Sequence, residues 1–325
     1  MKHLGFVAGC LLATQAAAQT PVLNVYTYDS FVPEWGPGPA IEKAFETKCG
    51  CDVVFTAAGD GAALLSRIRL EGERTEADVV LGLDTSLIAQ ARATGLFAET
   101  DVDAAYDLPV AWSDKTFVPY DWGYFAFVGN AGEDHPTSFR ALADSDTTIV
   151  IEDPRSSTPG LGLLMWVKAA YGDEAPEIWE ALADNIVTVT PGWSEAYGMF
   201  LDGEADMVLS YTTSPAYHVI AEDDSSKQAV AFDEGNYTQI EVAAKVASSD
   251  QSELADRFLA FLVEETAQGI LPTTNWMYPA VMPAGGLPEA FEQIVAPGKA
   301  LLMAPDQAEA ARSGALEEWR NALSQ

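Results

Sequence analysis

The sequence predicts an α/β protein built as two lobes joined by crossing strands, with a ligand cleft between the lobes. Three observations predict it. Short apolar runs of strand type alternate with helix-like segments along nearly the whole chain, the pattern of mainly parallel sheets. Two further runs suit strands that cross between two such sets: the long, aromatic residues 117–128 and the alternating residues 237–245. Finally, 325 residues with 48% hydrophobic content supply two domains more readily than one.

Each element follows in order. Residues 1–18 read as a signal peptide: Lys2 and His3, an apolar stretch over 4–12, then Ala16-Ala17-Ala18, small residues behind which a signal peptidase cuts. Val7-Ala8-Gly9-Cys10 offers a competing lipoprotein box that would place a lipid on Cys10. Beyond the leader no run approaches the roughly 18 apolar residues of a membrane span. Residues 23–28 form a first strand, and Pro39 opens a helix carrying Ile41, Ala44 and Phe45. Strand 52–56, a helix with Leu64, Leu65 and Ile68 after Asp60, strand 79–83 and a helix ending near Gly95 complete one βαβαβα half. After the 117–128 crossing come strand 148–151, helices 160–170 and 176–183, strand 187–189, helix 194–201 and strand 207–210. Residues 237–245 return the chain, and helices at 254–263 and 306–323 end it. The expected lobes are therefore 19–122 with 237–325, and 123–236.

Charge and composition exclude several functions. Lysine and arginine total 17 against 49 acids, a formal net charge of -32. Such a surface repels phosphate backbones and anionic lipid, so nucleic acid and membrane surfaces are poor partners, while cations are favoured at long range. Past the leader the cysteines are Cys49 and Cys51, around Gly50, free to pair with each other or to remain thiols. With only His135 and His218 beside them, far off in sequence, no metal-ligand spacing exists. No phosphate-binding or dinucleotide-binding glycine loop occurs. Gly192-Trp193-Ser194-Glu195-Ala196 approaches a nucleophile elbow, but its fifth residue is alanine and the sole later histidine is His218. A secreted serine hydrolase is thus a distant alternative.

Ligands of open α/β sheets settle where strands end and helices begin. Those turns hold an unusual stock of aromatics and hydroxyls: Tyr28 and Trp35, Ser157 and Thr158, Trp193, then Tyr211, Thr212, Thr213, Ser214 and Tyr217, and finally Trp276 with Tyr278. Ring faces attract positive charge by roughly 0.5–2 kcal/mol per contact and also stack, so a flat, cationic, aromatic ligand suits the set. Asp60 is the first carboxylate to place against it, with helix N-capping as its other role. Hydroxyls and amides around Ser156, Ser157 and Pro159, and around Thr213, Ser214 and Pro215, sit at helix starts that favour phosphate oxygens, which admits a phosphorylated ligand. Ordinary capping accounts for the same residues.

Longer motifs carry a resemblance. Val25-Tyr26-Thr27-Tyr28-Asp29-Ser30-Phe31, Trp35-Gly36-Pro37-Gly38-Pro39, Ala77-Asp78-Val79-Val80-Leu81-Gly82-Leu83-Asp84, Ser157-Thr158-Pro159-Gly160, Gly192-Trp193-Ser194-Glu195-Ala196-Tyr197-Gly198, Ser210-Tyr211-Thr212-Thr213-Ser214-Pro215-Ala216-Tyr217-His218 and Asn275-Trp276-Met277-Tyr278-Pro279 resemble, in order, the thiamine-binding periplasmic proteins of bacterial ABC importers. The Cys49-x-Cys51 pair is similar too, while Ser156 stands where that family has threonine. The resemblance implies a type II periplasmic-binding fold and a non-enzymatic monomer. It would capture thiamine, thiamine monophosphate or thiamine diphosphate in the periplasm for a membrane permease, with no cofactor or metal. By position, Asp60 and Gly61 would bind the thiamine moiety, Ser157 and Thr158 its hydroxyl or phosphate end, and Trp193 would stack. Tyr211, Thr212, Thr213 and Ser214 would line the opposite wall, with Tyr28, Trp35, Tyr217 and Trp276 as further aromatic walls. A type II receptor for a polyamine or ferric iron is the nearest rival; iron receptors lean on clustered tyrosines, and no adjacent tyrosine pair exists here.

Overall fold

The computed structural model describes residues 20–324, so the expected leader, its cut after Ala18 and Cys10 lie outside the described residues. The first set of elements is β1 (Val22–Thr27), α1 (Gly38–Cys49), β2 (Asp52–Ala57), α2 (Gly61–Glu71), β3 (Val79–Asp84), α3 (Ile88–Ala93) and the short β4 (Phe97–Ala98). β1 lies between β2 and β3, parallel to both. All six residues of β3 are buried, because helices cover both faces of a parallel sheet; this is why the sequence there is apolar without alternation. Cys49 and Cys51 form a disulfide at the end of α1.

The second set begins with β5 (Val118–Asn130) and continues through α4 (Phe139–Ala143), β6 (Ile149–Glu152), α5 (Thr158–Tyr171), α6 (Ala175–Leu182) and β7 (Ile186–Thr190). It closes with α7 (Trp193–Leu201), β8 (Met207–Tyr211), α8 (Ser214–Glu222) and β9 (Lys227–Ala229). β10 (Asn236–Val246) then leads to α9 (Ser252–Leu262), α10 (Glu265–Thr274), β11 (Tyr278–Pro279), β12 (Ala300–Leu301) and α11 (Pro305–Leu323).

The two long strands join the sets. Residues 118–124 of β5 pair antiparallel with β10, whereas residues 125–129 pair with β8, so one strand serves two sheets. β10 also pairs with β3, giving the order β2-β1-β3-β10-β5-β8-β6-β7. Every residue of β10 is buried. Two aromatic cores flank this seam. On one side Phe45 meets Phe258 and Phe261 at 5.1 and 5.2 Å; on the other Phe139 meets both Trp166 and Phe232 at 4.9 Å. Each such side chain contributes roughly 1.5–3 kcal/mol by leaving water.

Expected and observed bounds differ by at most two residues. Sequence order groups residues 237–325 with the first lobe, but α11 straps both sets. Its buried face, Ala308, Ala315, Trp319 and Ala322, packs with the core that includes α5 and α6. Lys168 Nζ donates to Glu318 Oε1 at 2.8 Å, and on the other side Arg312 Nη1 donates to Gln90 Oε1 at 2.6 Å.

Candidate functional site

Between the two sets lies a cavity of about 350 Å³, near the lower end of the roughly 300–1,000 Å³ range of small-molecule pockets. Turns of the first set contribute Tyr28, Ser30, Trp35 and Asp60, and the end of α10 with the segment after it adds residues 274–277. From the second set come Thr158 and Pro159 at the start of α5, five residues of α7, Tyr211 at the end of β8, and Ser214 and Tyr217 of α8. Glu241 reaches it from β10.

The loop argument therefore brings Tyr28, Trp35, Asp60, Thr158, Trp193, Tyr211, Ser214, Tyr217 and Trp276 together on one lining. Gly61, Ser157, Thr212 and Thr213 are not on it; they lie behind it. Gly61 donates its N–H to Thr158 Oγ1 at 3.1 Å, and a Cβ there would sit 2.7 Å from that oxygen, so only glycine lets the lobes approach so closely. Ser157 and Thr212 are fully buried, their hydroxyls without a well-formed partner among the described residues. Thr213 is likewise buried, with Oγ1 3.8 Å from Sδ of Met277, which does line the cavity.

Sequence reasoning left out Tyr197, Asn275, Met277 and Glu241 as site residues. Tyr197 follows Trp193 by four positions on α7 and shares its face, a spacing that could have revealed it. An acid in the middle of a wholly buried strand is the signal that Glu241 carried.

The polar atoms of four of these aromatic side chains are engaged by the protein. Tyr28 Oη donates to Asn275 Oδ1 at 3.1 Å, Trp193 Nε1 to Ser210 Oγ at 2.8 Å and Tyr217 Oη to Glu222 Oε1 at 2.9 Å, while Tyr197 Oη lies 2.9 Å from His218 Nε2. What these residues offer a ligand is ring surface. Gly82, with φ 105, makes room for one of them: a Cβ there would fall 2.2 Å from Cδ1 of Tyr28.

None of the lining residues is basic. Asp60 precedes α2, but its side chain does not cap that helix; Oδ2 instead accepts from the Trp193 N–H of the opposite lobe at 3.3 Å. Burial pushes its carboxyl up to about 6, the charges of Asp29 and Glu195 add to this, and the Ser157 hydroxyl and Trp193 amide pull it back. Below it Glu152 is buried with both carboxylate oxygens unpartnered among the described residues; burial and then the charge of Asp60 hold it well above the usual range. A second acidic group spans the crossing strands. Glu241 is in register with Asp84 of β3 on one side and Asp121 of β5 on the other, all three buried. Burial raises Glu241 to about 7 and Asp84 to about 6, and raises Asp121 well above its ordinary value with the charge of Glu241 adding, so the row does not ionise together.

Contacts across the cleft show a closed arrangement. Besides Asp60 to Trp193 and Gly61 to Thr158, the Ala63 N–H donates to the Ser156 carbonyl at 3.2 Å. Elsewhere on the lining Tyr217 meets Trp276 edge-on at 5.3 Å.

Two alternatives meet this geometry. For a serine relay, Ser194 does line the cavity, but His218 engages Tyr197 with one ring nitrogen and Glu222 with the other, leaving none for it. For iron, the group of histidine, cysteine or acidic residues among those described whose ligand atoms could share a metal is His218, Glu222 and Asp224, and none of them lines the cavity.

Comparison with known proteins places the chain. Residues 37–274 match the family model of bacterial extracellular solute-binding proteins. The chain is 50% identical over 319 residues to the thiamine-binding periplasmic protein of Escherichia coli (strain K12), covering 97% of each. A solved periplasmic thiamin binding protein superposes with a TM-score of 0.92 at 48% identity, over 97% of this chain and 100% of that one. Iron-bound HitA from Pseudomonas aeruginosa, at 22% identity and a TM-score of 0.73 over 93% and 99%, shares the type II fold. The chain belongs to the bacterial extracellular solute-binding proteins and, within them, to the thiamine-binding periplasmic proteins.

Proposed function

We propose that this protein captures thiamine in the periplasm and delivers it to the permease of an ABC importer. One observation carries the reading: a small chamber between the lobes walled by aromatic faces from both, with two acids and no base on its lining. The thiazolium and aminopyrimidine rings are flat and the former is positively charged, so stacking and cation–π contacts of roughly 0.5–2 kcal/mol each, with one ionised carboxylate, reach about -12 kcal/mol, or nanomolar affinity. Asp60 supplies that carboxylate, Trp193 and Tyr197 the stacking face, and the lobes close about β5 and β10. The closed form is what the permease reads.

The finer points belong to the same proposal. Thiamine monophosphate and diphosphate also bind, their phosphates meeting Thr158 and Ser214 where α5 and α8 begin. The protein is exported by residues 1–18, works as a monomer, uses no cofactor or metal, and releases its ligand unchanged. Calorimetry on mature protein freed of co-purified ligand tests this. Heat and a raised melting temperature with thiamine and its esters, but not with spermidine or ferric citrate, are expected; no response to thiamine or either ester overturns the reading. Thiamine recovered chemically altered, in a manner lost in Ser194→Ala, would restore the hydrolase alternative.

A further inference from the structure

Outside the cavity, a short chain of hydrogen bonds joins two of its tyrosines. Glu222 closes α8, its side chain about half exposed. One carboxylate oxygen accepts from Tyr217 Oη at 2.9 Å; the other lies 2.7 Å from Nδ1 of His218, which is buried. The far nitrogen of that imidazole lies 2.9 Å from Tyr197 Oη. An ionised carboxylate only accepts, so Nδ1 carries the proton and, in the neutral imidazole, Nε2 accepts from the Tyr197 hydroxyl. The His218 and Tyr217 bonds hold the Glu222 carboxyl below its usual range, in keeping with an ionised acceptor.

Each tied ring touches an indole of the lining. Tyr197 lies 5.0 Å from Trp193 with planes 31° apart, and Tyr217 lies 5.3 Å from Trp276 of the opposite lobe. A carboxylate at a helix C-terminus is disfavoured by the helix dipole, so α8 itself gains nothing from an acid in its last position.

We propose that Glu222 is a positioning residue for ligand capture: its two oxygens, one directly and one through His218, fix the Tyr217 and Tyr197 rings that set the aromatic walls and the Tyr217 to Trp276 contact between lobes. This rests on the thiamine reading and deepens it. It also explains why both positions carry tyrosine although neither hydroxyl serves the cavity. Glu222 touches no ligand and acts only through other side chains, as an outer partner orients a ligating residue.

The test is a double-mutant cycle read by thiamine affinity. Glu222→Leu and Tyr217→Phe are each expected to weaken binding about three- to tenfold, and the double variant no more than the worse single one, with melting of the empty protein shifted by only about 2 °C. Glu222→Gln keeps an acceptor for Tyr217 and can donate to the other His218 tautomer, so its affinity should recover to within about twofold of the parent. Unchanged affinity in Glu222→Leu overturns the proposal, as do fully additive losses. Equal weakening by Gln and Leu overturns it too, since that would mark a long-range effect of charge. A parent protein that fails to bind thiamine condemns the function instead.

Discussion

The second-lobe wall of the cavity and its acidic partners solve different problems. Along α7 and α8, Trp193, Tyr197 and Tyr217 have their polar atoms bound within the lobe, leaving ring surface whose attraction for a ligand varies little with pH. Asp60 and the row on β3, β10 and β5 supply charge, but burial keeps those carboxyls partly protonated until something positive arrives. The wall thus gives shape and the acids give a conditional charge. Selectivity for a flat cation needs both.

This contrast can be broken at either end. Trp193→Ala removes the central ring of the wall and should weaken thiamine binding at least tenfold, about 1.4 kcal/mol, without loss of fold; calorimetry measures it. Asp60→Asn should cost about five- to tenfold in affinity. The same substitution should raise the melting temperature of the empty protein at pH 7.5 by about 2–5 °C, because a carboxyl raised from 3.8 to about 6 adds stability below pH 3.8 that is lost as pH rises through 6. Binding that needs Asp60 ionised should weaken about fourfold from pH 7.5 to 5.5, a dependence that Asp60→Asn abolishes. The smallest effect belongs to Trp35→Ala, about two- to threefold, since that ring is 54% exposed at the edge of the cavity.

The sequence reveals the fold well because each half is local: strand and helix periods alternate, and glycine and proline punctuate them. Loop aromatics were legible for the same reason, since turns after parallel strands converge. Depth within a turn was not. Ser157 and Thr213 stand beside lining residues in sequence, yet the turn points them inward, and only the packed structure separates neighbours one residue apart. Asp60 reads equally as a cap or a contact until Trp193, 133 residues away, is seen to donate to it. Glu241 and Asp121 lie in strands whose register cannot be counted from sequence, so their side-by-side placement was invisible. α11 packs on both sets, a placement that a helical sequence pattern does not carry, since it says that a face is covered and not by which lobe.

The row of carboxyls across the crossing strands also alters how the whole molecule moves in an electric field. A formal charge of -32 assumes that every acid is dissociated at pH 7, whereas burial raises Glu241 to about 7 and Asp84 to about 6, and pushes Asp121 and Glu152 well above their ordinary values. The native protein should therefore migrate as a less anionic particle than its composition dictates, and unfolding at neutral pH should take up no protons but release them.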